Sequence, residues 1–331
     1  MKPTTAVSPA PRSDAPRAEP RPGLMRRRFK DRASAWLFLA LTALPLIITA
    51  AMLLALTARA RPILVGHPLR ELLTGQTWQP MQGQFGFFPF IAGTLWVTGL
   101  AMLIAVPPSL FTAVYLAEYA RPATRTLSKP VLDLLAAIPS VVYGIWGVVA
   151  IVPWVGGTLA PGFNRWLGFI PLFRAHNPTG YGVLSGSLVL AVMVTPVIIA
   201  ISCEVLQAVP GGLREAALAM GATRWQTIVH AVLPKALPGV AAAVVLGFSR
   251  AFGETMAVLM VVGNVAKTPS SIFDPAYPLT ALIANNYGEM MSIPLYDAAL
   301  MGAALTLLLV VLAFNIVSAL VLRGAVRRAA A

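Results

Sequence analysis

The chain has 331 residues, of which 57% are hydrophobic and 11% charged. A soluble domain carries about a quarter charged residues, so this composition excludes an ordinary soluble enzyme or binding module and leaves a helical membrane protein. The formal net charge is +13, and nine of the 25 Lys and Arg residues lie before residue 33.

Those nine sit in a Pro-, Ala- and Arg-rich segment without apolar periodicity. Residues 1–34 are therefore predicted to be a basic, disordered cytoplasmic tail near anionic membrane lipid. No aromatic residue precedes Phe29, so a surface on which bases could stack is missing and no nucleic acid partner is expected. Cys203 is the one cysteine, which excludes an intrachain disulfide and any multi-cysteine metal site. His67, His176 and His230 lie far apart in different loops, and none is assigned a ligand role.

A spanning helix takes about 20 largely apolar residues. Six stretches qualify, roughly 35–57, 90–117, 132–156, 183–205, 238–262 and 297–322. The first follows basic residues and ends near Ala58-Arg59-Ala60, a small-x-small form found at signal cleavage sites. Its uncharged run from Ala33 to Ala58 is longer than the apolar region of a signal peptide, so it reads as an uncleaved anchor. The first helix and its outer loop fill 35–79, and a basic cytoplasmic C-terminus fills 323–331.

Orientation follows from Lys and Arg in the connecting segments. Eighteen lie in the tail, the 118–131 and 206–237 loops and the C-terminus, against six in the alternate set of loops. Both termini and the 206–237 loop are therefore expected in the cytoplasm. The outer loops, 58–89, 157–182 and 263–296, are rich in Pro, Gly, Asn and aromatics. Trp78, Phe85, Phe87, Phe88, Trp154 and Trp166 sit near the expected boundaries, where rings favour the headgroup level. Pro45, Pro107, Pro108, Pro139 and Pro196 fall within or beside spans. Such breaks are tolerated at depth where protein or a water-filled cavity satisfies the freed backbone, so they fit a pathway or packing kinks.

Residues 211–234 form a polar island between long apolar stretches. Pro210-Gly211-Gly212 allows a tight turn. Leu213, Ala216, Ala217 and Met220 recur at helical spacing, and Gly221 suits the left-handed conformation that ends a helix. A second helical segment, Thr223 to Val232, brings Trp225, Ile228 and Val229 to one side, and Pro234 closes it. Two short helices meeting at a glycine along the membrane surface are expected, either an interfacial amphipathic element or a handle for an aqueous partner.

Glu215-Ala216-Ala217, Gly221 and the Leu233-Pro234 end resemble the "EAA" loop of the membrane subunits of bacterial ABC importers. That resemblance implies that the loop is a coupling helix docked in a groove of an ATPase subunit. Ile138-Pro139-Ser140-Val141-Val142-Tyr143-Gly144-Ile145-Trp146-Gly147 is similar to the hallmark of phosphate-specific permeases. Ser249-Arg250-Ala251-Phe252-Gly253-Glu254-Thr255-Met256-Ala257-Val258 resembles the same family, and its Thr-Met-Ala-Val ending resembles the PstC-type subunit. Gln84-Phe85-Gly86-Phe87-Phe88-Pro89-Phe90 points the same way, whereas Tyr115-Leu116-Ala117-Glu118-Tyr119-Ala120 occurs in both subunit types.

Charged groups within a span are costly and suggest function. Arg250 and Glu254, four apart in the expected fifth span, would lie on one helical face and could pair, together with the small residues Ala243 and Gly247. The guanidinium suits phosphate oxygens two at a time; an ion pair locking the span to a neighbour is the structural alternative. Ser140, Tyr143 and Thr195 are further hydrogen-bonding candidates, equally able to satisfy backbone near Pro139 or Pro196.

The expectation is an all-α membrane protein with six transmembrane helices of the type I ABC importer permease fold and cytoplasmic coupling helices, its permease domain covering 80–322. The resemblance implies a phosphate importer subunit of the bacterial inner membrane, working with a PstA-like permease subunit, an ATPase dimer and an extracytoplasmic phosphate-binding protein. Glu215, Ala216, Ala217, Gly221, Leu233 and Pro234 would serve ATPase coupling, and Arg250, Glu254, Ser140 and Tyr143 the substrate pathway. No Gly-rich Lys-Ser/Thr phosphate loop occurs in the chain, so no cofactor or metal is expected in it; ATP and Mg belong to the ATPase. Other readings are a permease for sulfate or molybdate, a phosphate-sensing role through the assembled complex, and a stand-alone ion-driven carrier.

Overall fold

Six helices among the described residues are long and apolar enough to cross a membrane: Asp31–Gly66, Phe88–Tyr119, Ser140–Leu167, Val183–Gln207, Arg224–Phe252 and Tyr296–Leu320. In hydrocarbon the backbone must satisfy its own hydrogen bonds, which closes such runs into helices. They are numbered as spans one to six, and the shorter helices between them are labelled separately. The computed structural model describes residues 24–175, 177, 179–289 and 293–330; His176 lies outside them.

The described residues divide between residues 52 and 53 into two compact units. In the first, the helix that carries span one begins at Leu24. Residues 24–34 are therefore helical, not part of a disordered tail. Leu24 to Ser34 contains neither proline nor glycine and carries four Arg with one Leu, one Met and one Ala, residues that extend a helix at little cost. The rest of the expected tail, 1–23, lies outside the described residues. Thr42 and Thr49 donate to the carbonyls of Phe38 and Pro45, so these hydroxyls are satisfied inside an apolar helix.

In the second unit, the end of span one packs Ala60 and Ile63 into a cluster with Phe85, Phe87, Phe90, Leu279, Leu282 and Leu300. Helix α1 (Leu69–Thr74) and a small antiparallel hairpin follow. The hairpin pairs Trp78 with Phe85 and Gln79 with Gln84. Trp78 meets Phe85 and Phe90 edge-on at 5.6 and 5.0 Å between ring centroids. Phe85 and Phe87 are 3% and 2% exposed, so these two rings belong to the core and not to a headgroup belt. Burial of aromatic area outweighs an interfacial position when partners of matching shape are present.

Spans two and four pack along their length. Ser187 donates to Val97 O at 3.0 Å and to Val183 O at 2.7 Å, and Gly186 faces Val97 and Val262 at ordinary contact distance. The cluster continues through Val189, Leu190, Val194 and Ile198 to span three and to Val258, Val261 and Val262. A third cluster closes the other end of the bundle, where Ala113, Leu116 and Ala117 meet Cys203, Leu206, Val232 and Ala236.

Two spans differ most from the sequence-derived bounds. Span three runs Ser140–Leu167, not 132–156. Pro139 forces the preceding Ile138 into extended backbone (φ −61°, ψ 130°), so residues 132–137 end a separate amphipathic helix, α2 (Pro122–Ala137). Span five runs Arg224–Phe252, not 238–262. Pro234 does not close a segment: the helix passes through it. A π turn, Ile228–Val232, precedes it and bonds Leu233 N to Ile228 O. The π turns Gly147–Ile151 and Val155–Leu159 stand two residues before Pro153 and Pro161 in the same way. A proline lacks an N–H and its ring displaces the carbonyl four residues back; the wider i→i+5 turn absorbs both defects without ending the helix.

Candidate functional site

Two regions carry the polar chemistry, the loop between spans four and five and the break after span five. The loop holds helix α3 (Gly211–Ala219). It ends as the glycine predicts. Gly221 has φ +83°, its N–H donates to Leu218 O, and Ala222 N donates to Ala217 O. These two bonds form a Schellman ending, which satisfies the last carbonyls of the helix. Thr223 then caps the next helix in a reciprocal box with Gln226, which fixes the angle between the two pieces.

Glu215, Ala216, Gly221 and Pro234 are exposed, and Ala217 and Leu233 are half-buried. Leu213, Met220 and Trp225 add apolar surface. Ile228 is buried while Trp225 is exposed.

The sequence argument missed the residue that holds this loop in place. Arg214 donates through Nε to Glu118 Oε2 at 3.0 Å and through Nη2 to Glu118 Oε1 at 2.6 Å. It also donates to the carbonyls of Val209 at 2.6 Å and Leu206 at 2.7 Å. Glu118 sits in a π turn (Tyr115–Tyr119) that ends span two, and Arg125 of α2 donates to Leu116 O and Ala117 O in that turn. The Arg214 and Glu118 side chains are 23% and 9% exposed. The hydrogen bond to Glu118 pushes the Arg214 guanidinium above its ordinary pKa, ahead of the opposing effect of burial. Both residues are half-buried, so removing one partner leaves the other charge partly desolvated and unpaired.

At the second region, span five ends at Phe252, with Gly253 as its cap, and helix α4 (Met256–Val261) starts two residues after Glu254. The pairing expected of Arg250 and Glu254 does not form, because the helix ends between them and they share no helical face. Each charge answers a helix end instead. Arg250 Nη2 lies 3.5 Å from Ala136 O, at the C-terminus of α2, where helix carbonyls attract a cation. Glu254 Oε1 accepts from Ala257 N at 3.1 Å, in the first turn of α4, where free N–H groups attract an anion. Thr280 of helix α5 (Leu279–Asn286) donates to Glu254 O and ties the break down.

Tyr143 donates to Leu135 O at 2.8 Å, so it joins Arg250 at the end of α2 and satisfies backbone freed by Pro139. Thr195 donates to Ala191 O at 2.8 Å, also a backbone role. Ser140 opens the helix Ser140–Trp146 and is half-buried. Ala243 and Gly247 are buried, whereas Arg250 is exposed. A Cβ on Gly247 would stand 2.8 Å from Ile198 Cδ1, so that glycine serves close packing on span four. Gly144 does the same for α4: a Cβ there would meet Met260 Sδ at 2.6 Å and Ala257 Cα at 3.2 Å. Beyond α4 opens a cavity of about 890 Å³ with a mixed lining, Thr179, Asn264, Lys267, Thr268 and Ser270 beside Leu259, Met260 and Val265.

A helix of membrane length that breaks next to Arg250, in a bundle with an exposed capped turn, is the architecture of a polytopic membrane protein. Comparison with known proteins gives the family. The chain belongs to the binding-protein-dependent transport system inner membrane components, which it matches over residues 109–330. It is thus a transport subunit and a multi-pass inner-membrane protein.

Among its relatives is the phosphate transport system permease protein PstC of Xylella fastidiosa strain 9a5c, 37% identical over 292 residues that cover 84% of this chain and 89% of that one. The Pasteurella multocida protein of the same name is 38% identical and covers 70% and 73%. The probable ABC transporter permease protein YqgH of Bacillus subtilis is 41% identical over 66% of each chain. Solved structures with the same type I importer permease fold include a bacterial ABC transporter involved in alginate import. That match has a TM-score of 0.54 and 19% identity and covers 90% of this chain and 98% of that one. The MetNI methionine ABC transporter matches with a TM-score of 0.50 and 22% identity, covering 70% and 93%.

Proposed function

We propose that this chain is the permease subunit of an ATP-driven phosphate importer and forms half of its translocation pathway beside a PstA-like sister subunit. The observation that carries the substrate is the resemblance to proteins named phosphate transport permeases across most of the chain. The exposed Gly221-ended helix supports the coupling role: Glu215, Ala216 and Ala217 on α3 offer a small, mixed surface that a groove in an ATPase dimer can grip. ATP and Mg are bound by that ATPase, not by this chain. The excess of Lys and Arg in the 206–237 loop and both terminal segments supports a cytoplasmic position for them. The outer loops, including the cavity near Lys267, would then face an extracytoplasmic phosphate-binding protein.

In this reading the break after span five is the substrate's contact point. Arg250 is exposed and held by one long bond to Ala136 O, so its remaining donors are free to take phosphate oxygens in pairs. Glu254, kept on α4 by Ala257 N, adds a negative charge that favours release. Closure of the ATPase dimer would move α3 as a rigid lever and switch access from one side to the other. The test is ATP hydrolysis by the reconstituted complex with its binding protein. Phosphate should stimulate it several-fold and sulfate should not; stimulation by sulfate alone would transfer the chain to another oxyanion.

A further inference from the structure

We infer that the Arg214–Glu118 ion pair is the link through which motion of α3 reaches spans two and four together. The inference rests on the importer reading above, in which α3 is the element the ATPase moves.

The covalent joints of α3 do not reach span two. On one side the chain enters through Pro210, in extended backbone (ψ 135°), and a Cβ at Gly211 or Gly212 would meet nothing within 4 Å, so no packing stiffens that joint. On the other, the capped turn at Gly221 leads into span five. Chain continuity alone would also connect α3 only to spans four and five.

Arg214 supplies a stiffer connection. All three guanidinium nitrogens are engaged, Nε and Nη2 on Glu118, Nη1 on Val209 O and Nη2 also on Leu206 O. The guanidinium is planar, so four bonds in one fork fix its orientation as well as its position. Leu206 is in the last turn of span four and Glu118 in the last turn of span two. One side chain therefore staples two span ends to the first turn of α3. Arg125 holds Leu116 O and Ala117 O in the same π turn from α2, so the receiving end does not yield locally. Beyond it, spans two and four are joined by the Ser187 to Val97 bond and by the buried packing of Val97, Ala101 and Met102 with Leu190, Val194 and Ile198, and they respond as one body.

Another ion pair at this end shows what such a link is not. Lys129 and Glu204 stand 3.4 Å apart with side chains 70% and 66% exposed, and a solvated pair of that kind holds little. Arg214 and Glu118 are positioning residues that touch neither substrate nor nucleotide.

The experiment measures phosphate taken up per ATP hydrolysed in proteoliposomes containing the complete complex, for Arg214→Met, Glu118→Gln and the double variant. Each single variant should lower that ratio roughly tenfold. The double variant should lower it no further, because both changes cut one link. A purely structural role would lower uptake and hydrolysis in parallel and leave the ratio unchanged, and that outcome overturns the inference. So do additive losses in the double variant. Glu118→Gln keeps the side chain's shape, and failure of both single variants to assemble would assign the pair to folding and overturn the link. A wild-type complex that takes up no phosphate would instead overturn the importer reading on which the link depends.

Discussion

The two polar regions of this chain are built in opposite ways. At the loop, one arginine spends every guanidinium nitrogen on fixed partners and the glycine turn is closed by two backbone bonds. At the break after span five, Arg250 has one long contact to a helix-end carbonyl and Glu254 one backbone donor. The difference separates a part that must transmit force from a part that must exchange partners. A saturated guanidinium cannot accept a new ligand without losing what it holds; an exposed one at a helix terminus can.

That contrast is most sharply tested at Arg250. Arg250→Gln removes the exchangeable donors, and phosphate uptake should fall roughly a hundredfold, the loss typical of a donor aimed at an anion. Unchanged uptake would remove Arg250 from the pathway and erase the contrast. The next largest effect is expected at Gly221. A valine there would be forced to φ > 0 at a cost of about 1–3 kcal/mol. Gly221→Val should uncouple uptake from ATP hydrolysis, while Gly221→Asn, which tolerates the left-handed region, should retain most coupling. Equal behaviour of the two variants would show that the turn's geometry does not matter.

Gly247→Leu addresses packing and not chemistry. Overfilling the contact with Ile198 should cost about 1–3 kcal/mol, read as a lower unfolding temperature of the solubilised complex. The smallest effect belongs to Glu254→Gln. The amide oxygen can still accept from Ala257 N, so stability should change by less than about 1 kcal/mol, and uptake should change only a few-fold. A loss as large as that of Arg250→Gln would mean that the two charges act as a pair after all.

Much of the loop could be read from residues in order, because its physics is local. A glycine eight residues after Leu213 and a threonine three before Gln226 specify a helix end and a cap whatever surrounds them. The staple on that loop could not be read, since Arg214 and Glu118 are 96 residues apart and the motif around Glu118 gives no partner. The break in span five was hidden for a different reason. Apolar residues from Met256 to Val262 continue the hydropathy of the span, so a window of membrane length runs straight through Gly253. The i,i+4 spacing of Arg250 and Glu254 then suggested a pair that the helix end forbids. Span three was displaced for the same kind of reason. Apolar residues lie on both sides of Pro139, and hydropathy does not register a missing N–H.

The most direct test of the account is uptake of radiolabelled phosphate into proteoliposomes holding this chain with its sister subunit, ATPase and binding protein. Uptake should require ATP, the ATPase and the binding protein, and should resist a large excess of sulfate. Phosphate accumulation by this chain without an ATPase, or uptake abolished by sulfate, would contradict it.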